Sequence, residues 1–232
     1  DFTINAMAWD PVTDEIIDPY EGREDLGRKV VRAVGVANDR LREDGLRAMR
    51  AIRFAAVLGF DLEPSLHEAI GETKDVFGLV SVERIAIELR KMLVSDRADW
   101  GLRTLQDTGL MSAVLPPLAS IEEKVLERVC RMVVQGSPTF VERLAIVLSI
   151  APEMATPTLT HLKCSRATRA GVSHLLTHAN RAVPHLDQRI EQCQLAASVG
   201  REYWSAFLSF RRALEYGAGG EKASTWDRVD ET

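Results

Sequence analysis

From residue 47 onward, arginine recurs at every third position in a stretch whose other residues are mostly apolar. The stretch reads Arg40-Leu-Arg-Glu-Asp-Gly-Leu-Arg-Ala-Met-Arg-Ala-Ile-Arg53. Asp44, Arg47, Arg50 and Arg53 lie three residues apart and form a ridge. In a helix, each such step moves the side chain by about 60° around the helix axis. Three successive members span about 120°, so Asp44, Arg47 and Arg50 can face one pocket. Arg53 must reach round the helix to join them.

A carboxylate beside guanidinium groups suits a planar polar ligand that carries phosphates. Asp44 can accept from an exocyclic amine, while one arginine donates to ring acceptors and another holds phosphate with two parallel hydrogen bonds. A solvent-facing helix accounts for the same spacing, with Glu43–Arg47 and Asp44–Arg47 ion pairs that each contribute a few tenths of a kcal/mol. Spacing alone leaves both interpretations open.

The chain reads as a few short strands followed by a succession of helices. Apolar and β-branched residues predict strands over 6–9 and 15–18, joined by a turn through Asp10-Pro11 and Asp14, and a further strand over 29–34. Apolar spacing and caps predict helices over 42–58, from Pro64 through Ile70, over 82–93 with Ser81 as cap, and over 98–107. Further helices are predicted from Ser120 to Gly136, from Ser137-Pro138 to Ile150 and over about 201–216, and three more begin at Pro157, Ser165 and Pro184. The predicted fold class is mainly α.

Several segments of the first half of the chain are specific when taken together. They are Asp1-Phe-Thr-Ile-Asn-Ala-Met-Ala8, Asp18-Pro-Tyr-Glu-Gly-Arg-Glu-Asp25-Leu, Lys29-Val-Val-Arg32-Ala-Val-Gly35, the Glu43-Asp44-x-x-Arg47-x-x-Arg50 ridge, Phe54-Ala-Ala-Val-Leu-Gly-Phe60 and Ser81-Val-Glu-Arg-Ile-Ala-Ile-Glu-Leu-Arg-Lys-Met-Leu93. In content, order and spacing they resemble the class II tRNA nucleotidyltransferase and poly(A) polymerase family, which includes the CCA-adding enzymes. The resemblance is close through Leu115 and thins out beyond it.

The resemblance implies a template-independent transfer of CMP and AMP, from CTP and ATP, to the 3′ end of tRNA with release of pyrophosphate. It also implies Mg²⁺ as cofactor, bound by an Asp-x-Asp pair that the family carries, with a Gly-Gly loop, upstream of the segment where this chain starts. We therefore expect the chain to be truncated within its nucleotidyltransferase head, with no catalytic and no metal-binding residue of its own. Poly(A) polymerases and enzymes that add only CC or only A are alternatives of the same class. A helical RNA-binding module without catalysis is an alternative of another class.

By the same resemblance, a set of residues on the ridge and at the start of the chain binds the nucleotide. In the family, the Asp and the first Arg of the ridge read the base, the two later arginines complete the site near the triphosphate, and the opening motif recognises the ribose. The residues implied here are Asp1, Asp44, Arg47, Arg50 and Arg53, with Glu43 supporting them.

The resemblance and the Pro116-Pro117 pair together suggest four regions. Residues 1–38 would be the remnant of an α/β nucleotidyltransferase head with a short β-hairpin. Residues 39–118 would form an all-helical neck with the nucleotide-reading helix and RNA-binding helices, and residues 119–216 a helical body. The tail over 217–232 shows no periodicity and is predicted to be mobile.

Composition narrows the classes of protein. A net charge of −5 with a sequence pI near 5.6 means that any RNA contact must come from a local basic surface. No run approaches the roughly 20 apolar residues of a membrane span. The three cysteines, Cys130, Cys164 and Cys193, are widely separated and form no Cys-x-x-Cys pair, which indicates reduced thiols in a cytoplasmic protein.

The histidines of the second half do not form a recognisable metal motif. His174 and His178 have the i, i+4 spacing of a metal-binding pair, and His161 and His185 lie nearby in sequence. No His-Asp dipeptide occurs, and no Glu lies between the pair as a metalloprotease would need. We expect structural or surface histidines without a metal.

Overall fold

The computed structural model describes residues 1–181 and 188–217. The chain falls into two compact units, one over Asp1–Ala119 and one from Ser120 onward. The four regions suggested by the sequence are a finer division and stay a prediction. The predicted helix start at Pro184, His185 and the predicted tail beyond Gly217 lie outside the described residues. In the described ranges, no helix is long and apolar enough to cross a membrane.

The strands of the first unit are short. β1 (Ala8–Asp10) and β2 (Glu15–Ile17) pair antiparallel and form the predicted hairpin. β3 (Val30–Val31) lies inside the third predicted strand and pairs in parallel with β4 (Asp61–Leu62). β4 was not predicted, because a two-residue strand shows no alternation of apolar and polar positions.

Helices make up most of the first unit, and α3 lies at its centre, against α6 and α7. Gly59 ends α3 as predicted, with a φ of 71° in the left-handed region that favours glycine. The elements are α1 (Gly22–Arg28), α2 (Ala37–Glu43), α3 (Leu46–Leu58), α4 (Pro64–Glu72), α5 (Lys74–Phe77), α6 (Val82–Leu93), α7 (Ala98–Asp107) and α8 (Met111–Val114).

The predicted continuous helix over 42–58 is wrong at its N-terminal end. α2 ends at Glu43, the backbone of Asp44 is extended, with φ −152° and ψ 105°, and α3 begins at Leu46. The Asp44 carboxylate accepts from the backbone N–H of Leu46 at 3.1 Å. Short acidic side chains compete in this way with helical hydrogen bonds, so the residue interrupts the helix that the apolar pattern predicts.

The second unit is helical in its described residues, and its helix starts differ in part from the prediction. Its elements are α9 (Glu123–Gln135), α10 (Phe140–Leu148), α11 (Ala155–His161), α12 (Arg166–His178), α13 (Arg189–Val199) and α14 (Trp204–Gly217). Together with the first unit, they confirm the mainly α fold class.

The predicted cap of α12 is confirmed, because the Ser165 hydroxyl accepts from the backbone N–H of Thr168 at 3.2 Å. The predicted capping box at Ser120 is wrong, since α9 begins at Glu123, directly after Glu122. Thr139, not Ser137, caps α10, and Pro157 lies inside α11 rather than at its start.

Glu142 is a carboxyl group in the core of the second unit, with 1% of its surface exposed. Its Oε1 accepts from the Ser209 hydroxyl at 2.6 Å and from the backbone N–H of Ser137 at 2.8 Å, while Oε2 has no hydrogen-bond partner in the described part of the chain. Burial raises the pKa of Glu142 above its ordinary value, although these two hydrogen bonds and the nearby Arg143 act in the opposite direction. Burial therefore disfavours the charged form of this carboxyl group.

Glu142→Gln should make the thermal stability of the second unit less sensitive to rising pH. A raised folded-state pKa means that the contribution of Glu142 is fully present below the ordinary pKa of 4.5 and is lost as pH rises through the folded-state pKa. Each unit of pKa elevation costs about 1.4 kcal/mol once the group is charged. Thermal unfolding from pH 4.5 upward should show a gap between variant and wild type that widens with pH. Glu127→Gln, at a half-exposed surface pair with Arg131, should show no such widening, and a constant gap for Glu142→Gln would contradict the burial argument.

Candidate nucleotide-binding site

Asp1 lies between two arginines of α3. Its Oδ1 accepts from Nε of Arg47 at 3.0 Å, and its Oδ2 lies 2.5 Å from a terminal nitrogen of Arg50. The three side chains are partly exposed, at 22% for Asp1, 20% for Arg47 and 32% for Arg50. The first residue of the chain is thereby joined to the arginine ridge 46 positions away.

The residues after Asp1 are anchored by a buried polar network. The Thr3 hydroxyl donates to Oδ2 of Asp25 at 2.6 Å, and Nε of Arg32 donates to the same oxygen at 2.8 Å. Asp25 is only 1% exposed, so both hydrogen bonds lie away from water. The backbone N–H of Thr3 also donates to the carbonyl of Arg32. This network holds the opening segment against α1 and β3.

Arg47 makes a second set of contacts on α2. One terminal nitrogen donates to the carbonyl of Arg40 at 2.7 Å and also to the Glu43 carboxylate. Arg40 donates to the other Glu43 oxygen at 2.7 Å. These hydrogen bonds lower the pKa of Glu43, that from Arg47 most strongly and that from Arg40 next. The Glu43–Arg47 ion pair considered from the spacing is therefore present, and Glu43 orients an arginine of the ridge.

Asp44 pairs with an arginine from a different helix. Both terminal nitrogens of Arg84 in α6 donate to its carboxylate, at 2.7 and 3.3 Å, so the alternative Asp44–Arg47 ion pair is not the one formed. Burial by itself raises the pKa of Asp44. The hydrogen bonds from Arg84 and Leu46 and the charges of Arg84 and Arg47 outweigh this effect and hold the pKa below its ordinary value. Asp44 is therefore an ionised acceptor at neutral pH.

Arg53 faces away from Asp1 and into the interface with α6. Its Nε donates to Oε2 of Glu88 at 2.7 Å, and its guanidinium carbon lies 3.5 Å from the ring centroid of Phe54. The two charged side chains are 11% and 6% exposed. Phe54 in turn packs edge-to-face on Phe2, with ring centroids 5.7 Å apart. In this arrangement Arg53 does not share the face of Asp1, and its implied role in nucleotide binding stays a prediction.

The structure thus brings Asp1, Arg47 and Arg50 together, places Asp44 one turn away at the start of α3, and turns Arg53 to another face. Donor capacity remains on the ridge: Nε of Arg50 is buried without a hydrogen-bond partner, and one terminal nitrogen of Arg47 makes no hydrogen bond among the described residues. An ionised acceptor beside guanidinium donors can bind a group with both amine and ring-nitrogen functions, and a phosphate.

Sequence reasoning missed Arg84 and Glu88, although both lie in the quoted segment that ends at Leu93. Each neutralises a charge on the ridge, Arg84 at Asp44 and Glu88 at Arg53. The available signal was that Arg84 and Glu88 are spaced i, i+4 and carry charges opposite to those of Asp44 and Arg53. This spacing predicts that the two side chains share one face of α6, but not which residues lie across from that face.

His174 and His178 make packing contacts in the second unit. His174 contacts the Val199 carbonyl through Nε2 at 2.7 Å and stacks on Tyr203, while His178 is buried beside Phe207. Burial first, and then the charges of His174 and Arg181, lower the pKa of His178. Among the described residues, no group of three or more His, Cys, Asp or Glu side chains could hold a metal ion.

Two family models match the chain. Residues 1–32 match the model described as "Poly A polymerase head domain", and residues 59–127 match "Probable RNA and SrmB- binding site of polymerase A". Among curated proteins, the chain is 45% identical over 125 residues to the CCA-adding enzyme of Geobacillus stearothermophilus, over 54% of this chain and 30% of that enzyme. It is 42% identical over 127 residues to the CCA-adding enzyme of Bacillus velezensis, over 55% and 32% of the two chains. The chain therefore spans about a third of the length of these relatives.

Solved structures match over the whole chain. The crystal structure of the Bacillus stearothermophilus CCA-adding enzyme in complex with CTP covers 100% of this chain and 56% of its own, with a TM-score of 0.78 and 31% identity. A tRNA nucleotidyltransferase complexed with a primer tRNA and an incoming ATP analog covers 100% and 72%, with a TM-score of 0.73 and 20% identity, which supports a common fold. The motifs, the fold and these matches agree in their similarity to the tRNA nucleotidyltransferase and poly(A) polymerase family.

Glu88→Ala should destabilise the packing of α3 on α6. The substitution leaves the Arg53 guanidinium buried without its carboxylate, and removal of one partner of a buried pair costs about 3–5 kcal/mol. Hydrogen exchange of the backbone amides in α3 and α6 should report a fall of that order in their opening free energy.

Glu24→Ala provides the matched control for Glu88→Ala, since Glu24 pairs with Arg28 on the surface, where both side chains are more than 60% exposed. It should change the same amides by less than about 1 kcal/mol. The double substitution Arg53→Leu with Glu88→Leu should recover part of the loss, because apolar pairs often replace buried ion pairs at little cost. Equal protection in Glu88→Ala and in wild type would contradict a structural role for this pair.

Proposed function

We propose that this chain is the nucleotide-selecting and RNA-binding part of a template-independent RNA nucleotidyltransferase. The intact enzyme adds CMP and AMP from CTP and ATP to the 3′ end of tRNA, completing the CCA sequence and releasing pyrophosphate. The observation that carries the proposal is the match, over the full length of this chain at 31% identity, to a CCA-adding enzyme solved with CTP. The ionised carboxylate and the arginine donors of the first unit fit the chemistry of that ligand.

In this proposal Asp44 and Arg47 read the base. CTP and ATP both present an exocyclic amine beside a ring nitrogen that accepts, so Asp44 accepts from the amine while Arg47 donates to the ring. UTP and GTP present a carbonyl and a ring N–H at the same places. Either would leave the carboxylate and the guanidinium without partners, which typically costs a few kcal/mol.

The other residues have roles in holding the nucleotide or the ridge. Arg50, whose side chain is about a third exposed, holds phosphate, and Asp1 belongs to the segment that recognises the ribose. Glu43 orients Arg47 through their hydrogen bond. Arg53 acts on the site through Glu88, by keeping α3 fixed on α6.

Mg²⁺ belongs to the proposed reaction, but the described residues offer no set of ligands for it. The family resemblance assigns the metal-binding carboxylates to a segment that this chain does not contain. Metal ions held there would supply activation of the 3′ hydroxyl and charge stabilisation of the departing pyrophosphate. The residues of this chain select and hold the nucleotide.

Binding of tRNA is proposed for the helices between Pro64 and Leu118, which lie in the segment that the second family model matches. Recognition of a tRNA acceptor stem rests on its backbone and shape, so base-specific contacts are not needed there. We also propose a cytoplasmic location, in keeping with the free thiols of Cys130, Cys164 and Cys193.

A poly(A) polymerase, or an enzyme that adds only CC or only A, would use the same ridge and is the second candidate. A helical RNA-binding module without catalysis is the third, and the match of residues 59–127 to an RNA-binding model favours it over a structural scaffold. The gene sequence preceding Asp1 distinguishes catalysis from binding alone: a Gly-Gly loop and an Asp-x-Asp pair support the enzyme.

Asp44→Ala in the intact protein should narrow the preference for CTP over UTP and for ATP over GTP, in addition to slowing the reaction. Arg50→Ala should weaken all four nucleotides to a similar degree, because it contacts phosphate and not the base. The measurement is kcat/KM for each nucleotide on tRNA that lacks its terminal CCA.

Arg131→Ala serves as the control for both variants, because this half-exposed arginine makes only a surface pair with Glu127 in the second unit. It should leave rates and ratios as in wild type. If folded Asp44→Ala keeps the CTP:UTP and ATP:GTP ratios of wild type, Asp44 does not read the base. If wild type transfers no nucleotide to tRNA, the proposed activity is wrong.

A further inference from the structure

The Asp44 carboxylate is held from two sides before any nucleotide binds. Oδ1 accepts from the backbone N–H of Leu46 at 3.1 Å and from one terminal nitrogen of Arg84 at 3.3 Å. Oδ2 accepts from the other terminal nitrogen of Arg84 at 2.7 Å. An ionised carboxylate has about four acceptor positions, two on each oxygen. Three are occupied here, and the one that remains is on Oδ2.

The backbone that carries Asp44 is also fixed. Gly45, which follows it, packs against the backbone at the end of α5, where an added Cβ would lie 2.7 Å from the Val76 carbonyl oxygen and 2.9 Å from Cα of Phe77. Contacts this short to backbone atoms admit only glycine without a shift of the chain. The backbone between α2 and α3 is therefore fixed in place, and only the side chain of Asp44 can still rotate.

Arg84 restricts that rotation. It lies in the first turn of α6, and Glu88, one turn later, binds Arg53 and ties α6 to α3. A guanidinium that donates to both oxygens of a carboxylate fixes the carboxylate plane as well as its position. The pair is accessible to a ligand, with side-chain exposures of 50% for Arg84 and 33% for Asp44.

We propose that Arg84 is a positioning residue for nucleotide selection: its two hydrogen bonds orient Asp44 so that a single acceptor position on Oδ2 is directed to the base. This rests on the proposed function, in which Asp44 accepts from the exocyclic amine of CTP or ATP. With one acceptor position available, a base that presents a carbonyl there meets an unpaired carboxylate oxygen. Without Arg84 the carboxylate can turn away from that carbonyl, so discrimination against UTP and GTP falls.

Two variants of Arg84 distinguish the effect of hydrogen-bond geometry from the effect of charge. Arg84→Lys keeps a positive charge beside Asp44 but replaces a planar fork by a single ammonium group, which cannot hold both oxygens in one plane. Arg84→Gln removes the charge as well. If orientation is what matters, both variants lose selectivity. If Arg84 only balances the charge of Asp44, the lysine variant behaves as wild type.

The test uses the intact protein, with kcat and KM measured for CTP, UTP, ATP and GTP on tRNA that lacks its CCA end. Arg84→Lys and Arg84→Gln should each lower the CTP:UTP and ATP:GTP ratios of kcat/KM by about tenfold or more, as expected when a hydrogen bond worth about 1.4 kcal/mol no longer discriminates. In both variants, calorimetry without tRNA should also show a smaller difference between the Kd values of CTP and UTP than in wild type. In Asp44→Ala, the further change Arg84→Gln should leave the ratios unaltered, because its effect passes through Asp44.

Arg131→Lys is the matched control, because Arg131 is similarly exposed, at 52%, and pairs with a carboxylate of its own helix, Glu127, in the second unit. It should leave all four efficiencies unchanged. A purely structural role for Arg84 would lower thermal stability and all four efficiencies together, with unchanged ratios. Wild-type ratios in folded Arg84→Lys and Arg84→Gln, beside a wild type that prefers CTP and ATP, would overturn the proposal. A wild type that transfers no nucleotide would overturn the proposed function itself.

Discussion

The buried pair of Arg53 and Glu88 is the interaction on which the arrangement of the first unit depends. Two charges at 11% and 6% exposure are stable in an apolar interface only when their geometry is good. Here the guanidinium donates to the carboxylate and lies over the Phe54 ring, which adds a cation–π contact. The pair sets the position of α6 on α3, and this position brings Arg84 to Asp44.

The opening segment of the chain packs beside the same pair. The rings of Phe2 and Phe54 pack edge-to-face, and Phe2 follows Asp1, whose carboxylate lies between Arg47 and Arg50. Each arginine of α3 that is withdrawn from water therefore has an acidic partner from another segment. An unpaired guanidinium in such a place would be costly, so the charges also specify which segments meet. The proposed selection of nucleotides rests on this one cluster.

The second unit has a different physical character. Its buried ionisable groups include Glu142, Arg143 and His178. Burial is the largest influence on the pKa of Glu142, which it raises, and on that of His178, which it lowers. This agrees with a role in packing and in presenting a surface. It also agrees with the thinner family resemblance of the sequence beyond Leu115, since a packed body requires apolar volume more than particular residues.

Local sequence determined the type and many of the ends of the secondary-structure elements. The hairpin of β1 and β2, the end of α3 at Gly59, the start of α4 at Pro64 and the extents of α6 and α7 were all predictable, because turns, caps and apolar spacing act within a few residues. The motifs were enough to indicate the resemblance to the family. They also directed attention to the ridge, since arginines at i, i+3 spacing share neighbouring faces of a helix.

Tertiary structure decided the partners. The break at Asp44 depends on a carboxylate that bonds to the Leu46 N–H and on a glycine pressed against α5, and neither contact is visible in the periodicity of the chain. β4 exists because β3 lies beside it. The pairing of Asp44 with Arg84 and of Arg53 with Glu88 joins residues 40 and 35 positions apart. Spacing along one helix tells which charges share a face, but only the packing of a second helix determines which opposite charge lies across from them.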